Sequence, residues 1–215
     1  LVGAEYAKPS GRVAAGETYL IYGRSNGLPA SIVMTNSWLD GTNGIILAGA
    51  KANDLSGGSV SSAGDVNGDG LADLLVGAMY AAPSGRAYAG EAYLVYGRSN
   101  GLPALITLTN TWLDGTNGNI LAGARASDFI GRSVSSAGDV NGDGLADLLV
   151  GADQESSLEG RTYLLYGRSN GYPALIMLTN TWLDGTNGNI IAGANPSQAS
   201  GFSVSSAGDV NGDGL

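Results

Sequence analysis

The sequence predicts an all-β fold, a β-propeller built from four-stranded blades with three repeats in the chain, and three observations carry that prediction. First, glycine supplies 36 of the 215 residues, more than twice its usual share of about 7%, so turns are frequent. Second, 43% of residues are hydrophobic, enough to bury a core, yet no stretch sustains a helical period. Third, the chain repeats itself. Residues 1–74 and 75–148 follow one plan with few changes, and a third copy occupies residues 149–215. A fixed long period of this kind marks repeat architectures.

In the second copy, runs rich in β-branched and aromatic residues, bounded by Gly, Asn-Gly and Asp-Gly, predict strands at residues 133–140, 147–152, 92–97 and 105–109. Residues 119–124 are a further candidate. Four strands in each repeat point to propeller blades rather than a solenoid, although ordinary blades have roughly 40–50 residues. The excess length falls in loops such as residues 102–118, which holds Trp112 and the Asp114-Gly115 and Asn117-Gly118 turns. The third copy is four residues shorter in one loop, where residues 153–161 replace residues 79–91.

Composition excludes several classes. Ten basic residues against 19 acidic ones leave a formal charge of −9, which disfavours nucleic acid as a partner. Without Cys or His there is no disulfide, thiolate site, thiol nucleophile or Ser-His-Asp triad. No apolar run approaches the roughly 20 residues needed to span a bilayer. A start at Leu1, with no signal-peptide pattern after it, suggests a processed, trimmed or partial chain.

The segment richest in chemistry is Asp65-Val66-Asn67-Gly68-Asp69-Gly70-Leu71-Ala72-Asp73, repeated at residues 139–147 and, cut short, at residues 209–215. Oxygen donors fall at positions 1, 3, 5 and 9. Alternate side chains in a tight loop can converge on a hard cation such as Ca²⁺, which takes six to eight oxygens, while position 7 offers its carbonyl. Glycines at positions 4 and 6 permit the bend. The expected ligands are Asp65, Asn67, Asp69, the Leu71 carbonyl and Asp73 in the first loop. In the second they are Asp139, Asn141, Asp143, the Leu145 carbonyl and Asp147. The third has Asp209, Asn211, Asp213 and Leu215 but no ninth-position acid, so weaker binding, or completion by another chain, is expected there. Three carboxylates within nine residues repel one another unless a counter-ion is present. An EF-hand or dockerin loop needs its last acid at position 12, which from Asp65 is Val76 in a strand-like run, so both fail.

A loop with its acid at position 9, joining two strands, resembles the FG-GAP repeat of integrin α-subunit propellers and of many bacterial surface proteins. The FG element is similar to Phe129-Ile-Gly131 and Gly201-Phe202, whereas Leu55-Ser-Gly57 lacks the Phe. The GAP element is similar to Gly77-Ala78-Met79, with Gly3-Ala4-Glu5 and Gly151-Ala152-Asp153 lacking the Pro. The resemblance implies a propeller whose blades carry Ca²⁺ between their first two strands, located outside the cell or at its surface and used for adhesion or recognition. The family usually has seven repeats and this chain has three.

Propellers commonly have four to eight blades, so three repeats are too few for one ring. Leu1 aligns with Leu75, just after a loop, and Leu215 aligns with Leu71, inside one. The first repeat therefore lacks its first strand and the third ends within its calcium loop. Two arrangements follow: a homo-oligomer in which two chains complete a six-bladed ring, each lending its last strand, or membership of a longer chain. The reading leans to the two-chain ring.

Trp38, Trp112 and Trp182 recur once per copy and read as fillers of the seam between blades. Their alternative role, with Asp40, Asp114 or Asp184 beside them, is stacking on a sugar, which makes a glycan-binding lectin the competing function. Tyr22, Tyr96 and Tyr166 read as strand ends packed on neighbours. Arg24, Arg98 and Arg168 are expected to pair with carboxylates across blades. The loops that vary, residues 5–17, 79–91 and 153–161, are the better recognition candidates, because loops on a rigid frame commonly carry binding. The overall expectation is a non-catalytic calcium-binding module with a protein or glycan ligand. Enzymatic hydrolysis by carboxylate pairs is remote, since the candidate acids already serve the loops.

Overall fold

The computed structural model describes residues 1–153 and 159–214. Among them the chain forms thirteen strands in three sheets. The first sheet contains β1 (Val2–Ala4), β2 (Glu17–Ile21) and β3 (Gly44–Gly49), each antiparallel to the next. In the second, β4 (Ser59–Gly64), β5 (Asp73–Ala78), β6 (Glu91–Val95) and β8 (Gly118–Gly123) run up and down in that order. The third repeats the pattern with β9 (Ser133–Gly138), β10 (Asp147–Ala152), β11 (Arg161–Leu165) and β13 (Gly188–Ala192). The expected all-β character is observed. Helix is confined to two short 3₁₀ turns, Pro9–Gly11 and Pro83–Gly85, among the described residues.

One assignment changes. Residues 105–109 were expected inside their own blade, with 119–124 held in reserve. Instead β8 is the fourth strand of the second sheet, and β7 (Leu105–Leu108) crosses to the preceding sheet, where it pairs in parallel with β3. Its counterpart β12 (Leu175–Leu178) pairs in the same way with β8. Burial gives the reason. Strand β8 is buried along its whole length because it has a neighbour on each side. Strand β7 alternates instead, with Ile106 and Leu108 each 1% exposed and Leu105 52% exposed, as an outermost strand does when one face meets the core.

Two hydrophobic clusters result, and β5 belongs to both because successive side chains point to opposite faces. Leu74 and Val76 pack with Ile45, Leu47, Tyr93, Val95 and Ile106 of the first and second sheets. Leu75 packs with Leu94, Leu121, Leu148 and Val150 toward the third. Burying each side chain of this size contributes about 1.5–3 kcal/mol. Trp112 packs against the first cluster and Trp182 against the second, the latter with its ring centroid 6.2 Å from that of Tyr172. Trp112 and Trp182 thus pack between sheets as expected of seam residues. The innermost strands lie side by side, and the Val134 N–H donates to the Ser59 hydroxyl at 3.0 Å.

Candidate metal centre

The first acidic loop joins β4 to β5 and folds around Asp65. Its Oδ1 accepts N–H bonds from Gly68 at 2.7 Å and Asp69 at 3.1 Å, and its Oδ2 accepts one from Gly70 at 2.8 Å. Gly68 and Gly70 have φ of 76° and 83°, the left-handed conformation that glycine adopts without steric cost. Asn67 Oδ1 accepts from the Asp69 N–H at 3.0 Å, its Nδ2 donates to Asp69 Oδ2 at 3.1 Å, and Asp69 Oδ1 accepts from the Leu71 N–H at 2.9 Å. Positions 1, 3 and 5 are therefore drawn together by the loop itself.

Position 9 behaves differently. Asp73 is fully buried; its Oδ2 accepts from the Val66 N–H at 3.0 Å, and its Oδ1 from the Gly97 N–H at 2.8 Å, just past β6. It is a strut that ties the loop to the next strand. The second loop repeats the pattern. Asp139 accepts from Gly142, Asp143 and Gly144, Asn141 and Asp143 are bonded to each other, and Asp147 accepts from Val140 at 2.8 Å and Gly167 at 2.7 Å. In the third, Asp209 accepts from Gly212 at 2.6 Å and Gly214 at 2.9 Å, and Asn211 bonds Asp213. The remaining expected ligand, Leu215, lies outside the described residues.

The electrostatics separate the positions. Burial pushes the Asp73 carboxyl up to about 6; the Gly97 and Val66 N–H bonds oppose the rise, and the charges of Asp69 and Asp65 add to it. Asp147 is raised as well, first by burial, with Asp143 and Asp139 contributing. Asp209 is lowered by the N–H bonds of Gly214 and Gly212. The donor set suits a hard cation, because every side-chain acceptor in the loops is a carboxylate or amide oxygen. The geometry is that of self-bonded loops: among the described residues, no three acidic side chains are grouped to hold a metal.

The other singled-out residues are placed as follows. Asp40 and Asp114 cap their own turns, accepting N–H bonds from Thr42 and Asn43 and from Thr116 and Asn117, and Asp184 accepts from Thr186. Arg24, Arg98 and Arg168 do not reach carboxylates among the described residues; Arg168 Nη1 donates to Asn187 Oδ1 at 2.6 Å within its own repeat. For Arg168 this neutral partner stands where an ion pair across blades was expected. An ion pair joins Arg132 to Asp153 at 3.6 Å. In the variable loop at residues 79–91, Tyr80 and Tyr88 cluster with Phe129, with centroids 5.6–6.1 Å apart. Part of the variable loop at residues 153–161 lies outside the described residues.

One group was missed from sequence. Asp54, Glu91 and Tyr93 line a cleft of about 390 Å³ together with Lys51. The Tyr93 hydroxyl donates to Glu91 Oε2 at 2.7 Å, and Asp54 is pushed up to about 6 by burial and then by the Glu91 charge, with Lys51 opposing. The Glu-x-Tyr spacing in a strand, which puts both side chains on one face, was the available signal.

Comparison with known proteins agrees with this frame. The FG-GAP repeat model matches residues 56–95 and 131–170, each span running through the first three strands of a sheet. Phosphatidylinositol-glycan-specific phospholipase D of Mus musculus is 36% identical over 118 residues, 53% of this chain and 13% of that protein. Integrin alpha-4 of Xenopus laevis is 34% identical over 124 residues, 58% of this chain and 11% of its own length. Integrin alpha-PS2 of Drosophila melanogaster is 33% identical over 145 residues, 65% of this chain and 10% of its own length. The chain thus spans roughly a tenth of each of these relatives.

Proposed function

We propose that this chain, which carries FG-GAP repeats, is a non-catalytic β-propeller module for adhesion or recognition outside the cell, stiffened by Ca²⁺. Its repeats are residues 1–74, 75–148 and 149–215. The observation that carries the reading is the recurrence, between the first two strands of a sheet, of one nine-residue loop whose side-chain acceptors are all oxygens. Asp65, Asn67 and Asp69, with the Leu71 carbonyl and Asp73, would hold one ion. Asp139, Asn141 and Asp143, with the Leu145 carbonyl and Asp147, would hold a second. Asp209, Asn211 and Asp213 with the Leu215 carbonyl would contribute to a third. Bound calcium supplies charge neutralisation and a rigid link between adjacent strands, and does no chemistry. The glycan-binding alternative loses ground, because each tryptophan is half-buried and the acid after it is engaged in a turn.

The test is the melting temperature with calcium and with chelator, together with native mass spectrometry. A higher Tm in calcium and retained Ca²⁺ ions are expected. An unchanged Tm and no bound ion overturn the calcium reading.

A further inference from the structure

The cleft that holds Asp54 and Glu91 lies apart from the acidic loops. Asp54 follows β3 on the way into β4, and Glu91 opens β6, so both sit at the end of the sheet opposite the loop that joins β4 to β5. Asp54 is 6% exposed and Glu91 8%, and both line the cleft. Glu91 has a hydrogen-bond partner in the Tyr93 hydroxyl, which donates to its Oε2 at 2.7 Å. Asp54 has none: among the described residues its carboxylate accepts no hydrogen bond. The charge of Lys51, exposed at the rim, reaches Asp54, but no ion pair joins the two. A buried carboxylate without a partner, beside a second carboxylate, is costly unless a cation joins them.

The fold does not require two acids here. Glu91 pairs with Ala78 and Arg161 with Ala152 in the same register, and Asp128 stands in its repeat where Asp54 stands in the one before. The next junction therefore places an acid and a base at the two positions, and this junction places two acids. The rest of the cleft indicates which counter-ion it suits. Its volume of about 390 Å³ falls in the range of small-molecule sites, about 300–1,000 Å³. Leu108, Leu113 and Ile120, all buried, form apolar walls. A bare Ca²⁺ takes six to eight oxygens, whereas two carboxylates offer at most four, and no group of three acids that could hold a metal is present among the described residues. An organic cation with a hydrocarbon stem uses both the acids and the walls.

We propose that this cleft binds a primary alkylammonium group, its cation held by Asp54 and Glu91 and its alkyl stem lying against Leu108, Leu113 and Ile120. An ammonium carries three donors that rotate to suit their acceptors. One goes to Glu91 Oε1, the oxygen that Tyr93 leaves open, and another to Asp54. A guanidinium is matched less well, because its fork makes two parallel bonds to one carboxylate and the Tyr93 hydroxyl already occupies one oxygen of Glu91. Charge-assisted bonds to two nearly buried carboxylates supply the affinity, and the apolar walls select for a stem. Lys51 opposes the incoming charge from the rim. A free aliphatic amine and the lysine side chain of another protein offer the same chemistry, and the probes distinguish them.

Calorimetric titration of the chain at neutral pH uses n-pentylamine as the probe, 1-pentanol as its neutral counterpart and n-pentylguanidine as the forked cation. Saturable one-to-one binding of pentylamine, weaker binding of pentylguanidine and none of pentanol are expected. Asp54→Asn and Glu91→Gln should each weaken pentylamine at least about tenfold, the worth of a hydrogen bond to a charged group, and a retained melting transition shows that each variant is folded. Lys51→Ala should tighten it by about two- to fivefold, as for an exposed charge, an effect that a merely structural role for the acids does not produce. Among Asp54, Glu91, Tyr93 and Lys51, the titratable groups facing the cleft, Asp54 holds its proton up to about 6, so lowering the pH to 5 should weaken binding about tenfold in the parent and much less in Asp54→Asn. Nα-acetyl-lysine methylamide bound as tightly as pentylamine identifies a lysine side chain as the occupant, and its exclusion identifies a free amine; either result supports the site. No saturable binding of the amine, equal binding of pentanol, or an Asp54→Asn variant that binds like the parent overturns the proposal. The titration is run both in excess calcium and in chelator, so this reading and the calcium reading fail separately.

Discussion

The α-carbon of Gly77 in β5 lies so close to the Gly131 carbonyl that a Cβ built on Gly77 would stand 2.1 Å from that oxygen. Gly3 meets Gly57 and Gly151 meets Gly201 in the same way, each at 2.0 Å. The glycines of the GAP-like and FG-like elements are thus one feature, a place where the second strand of one sheet touches the backbone that leads into the next. Only the absence of a side chain allows the contact.

Gly77→Ala is therefore expected to destabilise the protein by more than about 2 kcal/mol, since the clash is with backbone and cannot be relieved by a rotamer change. Gly144→Ala, in a loop position with φ of 86° and open space around it, should cost only the strain of the left-handed conformation, about 1–2 kcal/mol. Urea midpoints of the two variants check the ranking.

Asp73 accepts two backbone N–H bonds in a fully buried site. Asp73→Ala leaves both donors without an acceptor, at about 1–3 kcal/mol each, whereas Asp73→Asn keeps one acceptor oxygen and should fall between. Measuring Tm in chelator isolates this strut role from any contribution to metal binding.

Calcium that binds only the folded chain should stabilise it by about 2.7 kcal/mol per site at a hundred times its dissociation constant. Asp139→Ala removes the acid at the centre of the second loop. It should lower the number of ions retained in native mass spectrometry by one and reduce the Tm gain on adding calcium.

Asp54 predicts a dependence on pH. Its folded carboxyl holds a proton up to about 6 because of burial and the nearby Glu91, whereas the unfolded chain releases it near the ordinary value of about 3.9. Between those values the folded state binds more protons, so stability falls as pH rises across that window, by roughly 1–3 kcal/mol. Asp73 and Asp147 change in the same direction when no cation is bound, so the comparison is between the parent and Asp54→Asn. The variant should show a flatter decline in Tm from pH 4 to 6.5, and curves of equal slope would refute the assignment.

The sequence alone determined the repeat, the all-β character, the positions of the strands and the acidic loops, because each of these is written in local pattern. Alternating apolar residues mark a strand and glycines mark the loop bends, whatever else the chain does. Only the tertiary structure decided that residues 105–108 leave their own repeat to cover the one before, that Asp73 is buried and accepts the Gly97 N–H from beyond its own loop, and that Asp54 and Glu91 share a cleft. Those outcomes depend on which segments from distant parts of the chain come to lie side by side. Parallel pairing in particular joins residues far apart in sequence through a long crossover, which no local periodicity records.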